Sequence, residues 1–132
     1  MSEEIARQWL AEVARTATNK EYEAHIALIS KKVSLQGVPG YENIGYDAWA
    51  KQCKHEFEND ALKSVRYEGL KMLVDTDRRI MFKTVEIVEG IDGSSSGQGI
   101  EVLLEKEDDG EWRLVQERVM NDDETAQAGL RQ

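Results

Sequence analysis

Two periods divide the chain. Up to about residue 57 apolar side chains recur at three- and four-residue steps, and from Lys63 onward they recur at every second position, so helices come first and strands follow. Ile5, Trp9, Val13 and Ala17 lie four apart and form one stripe on a helix running to about Thr16. Ser2 is placed to cap that helix, and Glu3 and Glu4 suit the positive end of its dipole. Asn19 is expected to cap a second helix, with Tyr22, Ile26 and Ile29 as its stripe and His25 and Leu28 beside it. Val33 to Val38 reads as a short strand. Gly37, Pro39, Gly40 and Gly45 then break the pattern into a loop. Tyr46, Trp49, Ala50, Cys53 and Phe57 fall on one face of a third helix.

Four strands are predicted at about 63–74, 79–89, 98–106 and 112–120. In the first, Val65 and Tyr67 share one phase while Leu70, Met72 and Val74 share the other, and an extra residue near Gly69 would reconcile them. The second sets Ile80, Phe82, Thr84 and Glu86 against Met81, Lys83, Val85 and Ile87. The third sets Ile100, Val102 and Leu104 against Glu101, Leu103 and Glu105. The Gly- and Ser-rich segment 90–99 between them reads as a flexible hairpin loop, since no Lys-Ser/Thr and helix follow it to make a phosphate cradle. Asp108-Asp109-Gly110 signals a turn, after which Trp112, Leu114, Gln116, Arg118 and Met120 alternate with Arg113, Val115, Glu117 and Val119. From Asn121 the periodicity stops, so residues 121–132 are expected to be an acidic, mobile tail behind a single domain spanning 1–120.

This order implies an α+β fold, with three N-terminal helices packed on one face of a strongly curved, mainly antiparallel sheet. Strands apolar on both sides need cover on both. The second face is therefore expected to meet another copy of the chain through a two-fold interface. Val85, Ile87, Leu103, Trp112, Leu114 and Met120 are its predicted residues.

Composition narrows the class. Leu, Ile, Val and Phe supply 30 of the 132 residues, above the roughly 20% below which a charged chain stays unfolded. With 26 acids against 17 bases the net charge is −9, and such a surface repels phosphate backbones and anionic membranes. Residues 105–124 hold nine acids and three bases, so the negative charge gathers toward the C-terminal end. Nucleic acid and membrane are not expected partners. No stretch approaches the ~18 apolar residues of a span, and Met1–Ile5 has no leader character, so a cytoplasmic protein is expected. Cys53 is the only cysteine, which forbids an intrachain disulfide and a Cys-rich zinc site. Asn59 stands where a zinc-protease helix starting at His55-Glu56 would place its second histidine. Neither a metal nor a cofactor is expected.

The segments Tyr22-Glu23-Ala24-His25-Ile26-Ala27-Leu28-Ile29, Val33-Ser34-Leu35-Gln36-Gly37 through Ile44-Gly45-Tyr46-Asp47-Ala48-Trp49, and Asp109-Gly110-Glu111-Trp112-Arg113-Leu114-Val115, in this order of elements, resemble the nuclear-transport-factor-2-like (NTF2-like) superfamily. That superfamily includes ketosteroid isomerases, scytalone dehydratases, limonene epoxide hydrolases and SnoaL-type polyketide cyclases. The resemblance spans about residues 3–120. It implies a conical fold with a deep apolar pocket between sheet and helices, often in a dimer. Taken position by position, the isomerase pattern fails. Its basic aspartate falls on Gln36, an amide that cannot take a proton from carbon. Its oxyanion tyrosine falls on Val13 or Glu12, and its protonated aspartate, a case familiar from ketosteroid isomerase itself, falls on Val102.

The same alignment sets the phase of the strands. Ile80, Phe82, Thr84, Glu86, Ile100, Val102, Leu104, Val115, Glu117 and Val119 are expected to look inward. The candidate catalytic groups are then Glu117 and Glu86, because apolar walls disfavour a carboxylate and raise its pKa. The competing reading pairs Glu117 with a base such as Arg113, or places Glu86 at a solvated rim. The expected ligand-binding residues are Trp9, Val13, Gln36, Tyr41, Trp49, Phe82, Thr84, Val102, Val115 and Val119. His25 is read as a satisfied core histidine. Together these features lead to a protein that binds a small hydrophobic molecule and has potential acid–base chemistry. The alternative is a non-catalytic dimerisation or adaptor module, favoured if Trp9, Phe57 and Met72 plug the pocket.

Overall fold

The computed structural model describes residues 2–37, 43–59 and 62–130. Helix α1 (Ser2–Thr18) follows the four-residue stripe and widens it, with Ala6, Trp9, Leu10 and Ala17 all buried. Helix α2 (Tyr22–Ile26) is shorter than its stripe predicts, because Ile29 already belongs to strand β1 (Ile29–Gln36). An apolar residue three positions after Ile26 fits both a helical turn and the first inward position of a strand, and Ile29 and Val33 are β-branched residues that favour the latter. Asn19 is not the cap of α2. Glu21 occupies that position without a side-chain hydrogen bond, while Arg15 reaches back to Glu12 and forward to Glu21. Helix α3 (Tyr46–Asn59) completes the helical half, and no side chain on it is fully buried.

Strands β2 (Leu62–Asp75), β3 (Arg79–Gly90), β4 (Ser95–Lys106) and β5 (Trp112–Val119) form one sheet in the order β1-β5-β4-β3-β2. Every pairing is antiparallel except β1 with β5, which run parallel. The segment expected to be a long flexible hairpin loop is mostly strand. Ser95 already pairs with Glu89, leaving a tight turn at Gly90–Ser94.

Two of the register shifts in the sheet bear on the site. The β2–β3 register shifts between Glu68 and Lys71, where Gly69 takes a φ of +76° that a residue with a Cβ adopts only with strain. The Thr84 hydroxyl lies within reach of the carbonyls of Gly69 and Glu68 and fastens this bulge. A second shift falls between Leu103 and Leu104, which pair with Gln116 and Leu114 and leave Val115 unmatched between them. That extra residue turns Leu114 to the inner face, where it is 1% exposed. Burying a leucine contributes about 1.5–3 kcal/mol against about 1 kcal/mol for a lost ladder bond, so the bulge is the favoured solution.

The predicted interface for a second copy is corrected accordingly. Leu114 is part of the inner core and Trp112 packs against it. Val85 and Met120 do face outward, but they are buried. The cover near them comes from the chain itself. Asn121 caps helix α4 (Asp122–Gln127) by accepting a hydrogen bond from the Glu124 N–H at 2.8 Å. Residues 121–132 thus hold a short helix where no periodicity was visible, since six residues are too few to show one. Thr125 is 1% exposed and packs on Gly99, where a Cβ would collide with it. Glu124 accepts from Arg118 at 2.6 Å and sits 3.5 Å from Lys83, tying α4 across β5 and β3. Ile87 and Leu103 remain half-buried on the outer face.

Candidate functional site

The inner face of the sheet, α1 and α3 enclose a cavity of about 730 Å³. Its floor is core. Ile80, Phe82, Ile100, Val102 and Leu104 are at most 1% exposed and fill the narrow end of the cone. Its walls come from every layer: Trp9 and Val13 of α1, His25 of α2, Leu35 of β1, Trp49, Cys53, Glu56 and Phe57 of α3, Tyr67 of β2, Glu86 of β3, Gln98 of β4, and Glu117 and Val119 of β5. Trp9 is fixed by its indole N–H, which donates to the Leu28 carbonyl at 3.2 Å. Phe57 meets Tyr22 edge-on, with ring centroids 6.3 Å apart. Trp9 and Phe57 are wall, Met72 packs into the core, and the three leave the cavity open.

Of the predicted site residues, Trp9, Val13, Trp49, Val119, Glu86 and Glu117 share this cavity. Phe82 and Val102 are inward but lie beneath it in the core. Thr84 fastens the β2 bulge, Val115 is the unmatched residue of β5, and Gln36 donates to the Ser34 hydroxyl at the end of β1, off the wall. Tyr41 lies outside the described residues. The sequence reading missed Tyr67 as a site residue, although the register of the β2–β3 hairpin places it directly opposite Glu86.

The two carboxyls differ in their surroundings. Glu86 accepts a hydrogen bond from the Tyr67 hydroxyl at 2.9 Å and another from Gln98. Burial raises its pKa, the charge of Glu56 adds to the rise, and these two donors oppose it. Glu117 has no hydrogen-bond partner among the described residues, and it does not pair with Arg113, which binds Glu107 and Asp109 instead. Burial first and the charge of Glu86 second hold the Glu117 carboxyl well above the usual range. Glu117 is raised further than Glu86, whose two donors favour its charged form, so within the pair Glu117 is the better acid and Glu86 the better base. Burial also pushes the Cys53 thiol up to about 12, so it stays protonated and unreactive.

His25 is neutral because burial lowers its pKa. The Thr16 hydroxyl donates to the Glu12 carbonyl at 2.8 Å and lies 2.9 Å from His25 Nδ1. This contact satisfies one ring nitrogen of the buried histidine. A second, more open cleft of about 880 Å³ lies on the outside along β1. Its Lys32, Arg79 and Arg113 are each paired with an acid, and bases and acids line it together, unlike the inner cavity. Among the described residues no cluster of His, Cys, Asp and Glu is arranged to hold a metal, and no helix is long and apolar enough to cross a membrane.

No family model matches the chain, and no curated protein matches it. Solved structures do. A scytalone dehydratase candidate from Novosphingobium aromaticivorans superposes with a TM-score of 0.72 at 11% identity, covering 89% of this chain and 81% of that one. ActVI-ORFA from Streptomyces coelicolor gives 0.70 at 11% identity over 92% and 97% of the two chains. A nuclear-transport-factor-2-like protein with a cystatin-like fold, also from N. aromaticivorans, gives 0.71 at 17% identity over 97% and 86%. At such identities the likeness extends to the backbone and not to the chemistry of the site. The helices, the curved five-stranded sheet and these superpositions agree: the chain has the nuclear-transport-factor-2-like fold.

Proposed function

We propose that the protein binds a small hydrophobic molecule in the inner cavity and moves a proton at the polar end of that molecule. The observation that carries this reading is Glu117, a carboxyl without a hydrogen-bond partner among the described residues, facing a largely apolar space of about 730 Å³. A ligand of drug-like size fits such a volume. Glu117 supplies a proton from the acid form, and Glu86, held by Tyr67 and Gln98, accepts one as the carboxylate. One superposed structure is a scytalone dehydratase candidate, which is consistent with small-molecule chemistry in this fold.

Binding and chemistry are tested separately. N-phenyl-1-naphthylamine, a neutral hydrophobic fluorophore, is expected to brighten with the native protein and to lose at least about ten-fold in affinity when Val119→Trp fills the cavity. Deuterium exchange next to the carbonyl of 2-tetralone is expected to be catalysed by the native protein and to slow about 100-fold in Glu117→Gln. Exchange at the native rate in both Glu117→Gln and Glu86→Gln would remove the acid–base part. A fluorophore indifferent to Val119→Trp would remove the cavity as its seat.

A second copy of the chain on the outer sheet face belongs to the same proposal, now resting on Ile87 and Leu103. Sedimentation at micromolar concentration should give twice the chain mass, and a monomer would overturn it.

A further inference from the structure

The charge of the inner cavity is one-sided. Among the described residues its wall carries three carboxyls, Glu56, Glu86 and Glu117, and not one lysine or arginine. Its remaining titratable members, Cys53 and Tyr67, are held neutral by burial, as is His25. Arg118, next to Glu117 in sequence, points to the other side of the sheet and is committed to Glu101 and Glu124. The carboxyl with no partner thus faces a space that offers it no cation.

The rest of the wall is suited to a cation as well. Trp9, Trp49 and Phe57 stand on the helical side, opposite the strands that carry the acids. Aromatic faces attract a positive charge, most strongly when water is excluded, and Trp does so best. An alkylammonium group placed between them and the carboxyl pair would meet opposite charge on one side and π-electron density on the other. A carboxylate ligand would meet only like charge there, and a neutral one would bring the three carboxyls no counter-charge.

Accepting the cavity as a ligand site, as proposed above, we infer that its ligand is a lipophilic amine in its cationic form, with the charged nitrogen at Glu86 and Glu117 and the apolar body against the aromatic wall. The nitrogen takes the place of the missing counter-charge beside the carboxyl pair.

Three probes of one skeleton test this by calorimetry: 4-phenylbutyltrimethylammonium, 4-phenylbutanol and 4-phenylbutyrate. The quaternary nitrogen cannot titrate, so its affinity reports the protein's groups alone. At neutral pH the cation is expected to bind at least about ten-fold more tightly than the alcohol, with the anion weakest. The double variant Glu86→Gln, Glu117→Gln should bring cation and alcohol to within about two-fold while the alcohol keeps its affinity. Equal binding of cation and alcohol by the native protein, or a preference that survives the double variant, would overturn the inference and leave the cavity reading intact. Binding of none of the three would overturn the cavity reading and the inference with it. Circular dichroism of the double variant checks that it is folded, and Glu117→Gln alone, expected to lose part of the preference, replaces it if it is not.

Discussion

A carboxyl group that lines the cavity beside Val119 and Glu86 gives up its proton reluctantly, and the folded state bears the cost. The sign follows from linkage. The Glu117 pKa is raised in the folded chain above the unfolded value near ~4.3, so the native state binds more protons and stability falls as pH rises from there until the raised value is passed. Each tenfold change in proton affinity is worth about 1.4 kcal/mol. Glu117→Gln is therefore expected to be more stable than the native protein at pH 8 and equal to it at pH 4, as read by urea unfolding at the two values. A variant destabilised equally at both would show that the carboxyl is at ease where it lies. Glu124 has the opposite sign. Its hydrogen bond from Arg118 lowers its pKa to about 2, so its contribution is present above the unfolded value and lost as pH falls through that range. Stability should consequently pass through a maximum in mildly acid solution.

At the scale of the element, what could be read in advance depended on whether a residue's neighbours determine its phase. Strands β3 and β4 pair without interruption from Arg79 with Glu105 to Glu89 with Ser95, so the phase taken from the family resemblance carried through alternation to the whole inward set Ile80, Phe82, Thr84, Ile100, Val102 and Leu104. The bulge in β2 was legible because Gly69 marks it. The bulge in β5 was not, because Val115 fits a strand on either side of the insertion and no glycine or proline signals the extra residue. Everything before it in that strand was consequently assigned to the wrong face, Leu114 and Trp112 included. The site suffered the same way. Glu86 and Glu117 followed from alternation once the family resemblance set the phase, whereas the hydrogen bond from Tyr67 depends on a cross-strand register that sequence spacing leaves open. Helix α4 has its own test. Gly99→Val would drive a side chain into Thr125 and Met120, and overpacking of this kind costs about 1–3 kcal/mol. The expected result is a lower urea midpoint together with faster amide exchange confined to residues 121–130; a midpoint matching the native one would mean that α4 contributes nothing to holding the sheet.

For the molecule as a whole, the cone divides its labour between its ends. The narrow end is filled by Phe82, Val102 and their neighbours, which are essentially unexposed, and supplies rigidity. The wide end is bounded by α3, which buries no residue fully and supplies Trp49, Cys53 and Phe57 to the cavity wall. The cation preference inferred above predicts a pH effect at this scale. Affinity for 4-phenylbutyltrimethylammonium should rise with pH as protons leave the carboxyl pair, while affinity for 4-phenylbutanol should not rise; parallel pH profiles for both would separate the acids from the ligand.

The placement of α4 matters to whatever loosens it. Should the helix lift while the five strands stay paired, Val85, Met120 and Gly99 lose their cover, and the bared back of the sheet becomes a place where other apolar chains stick.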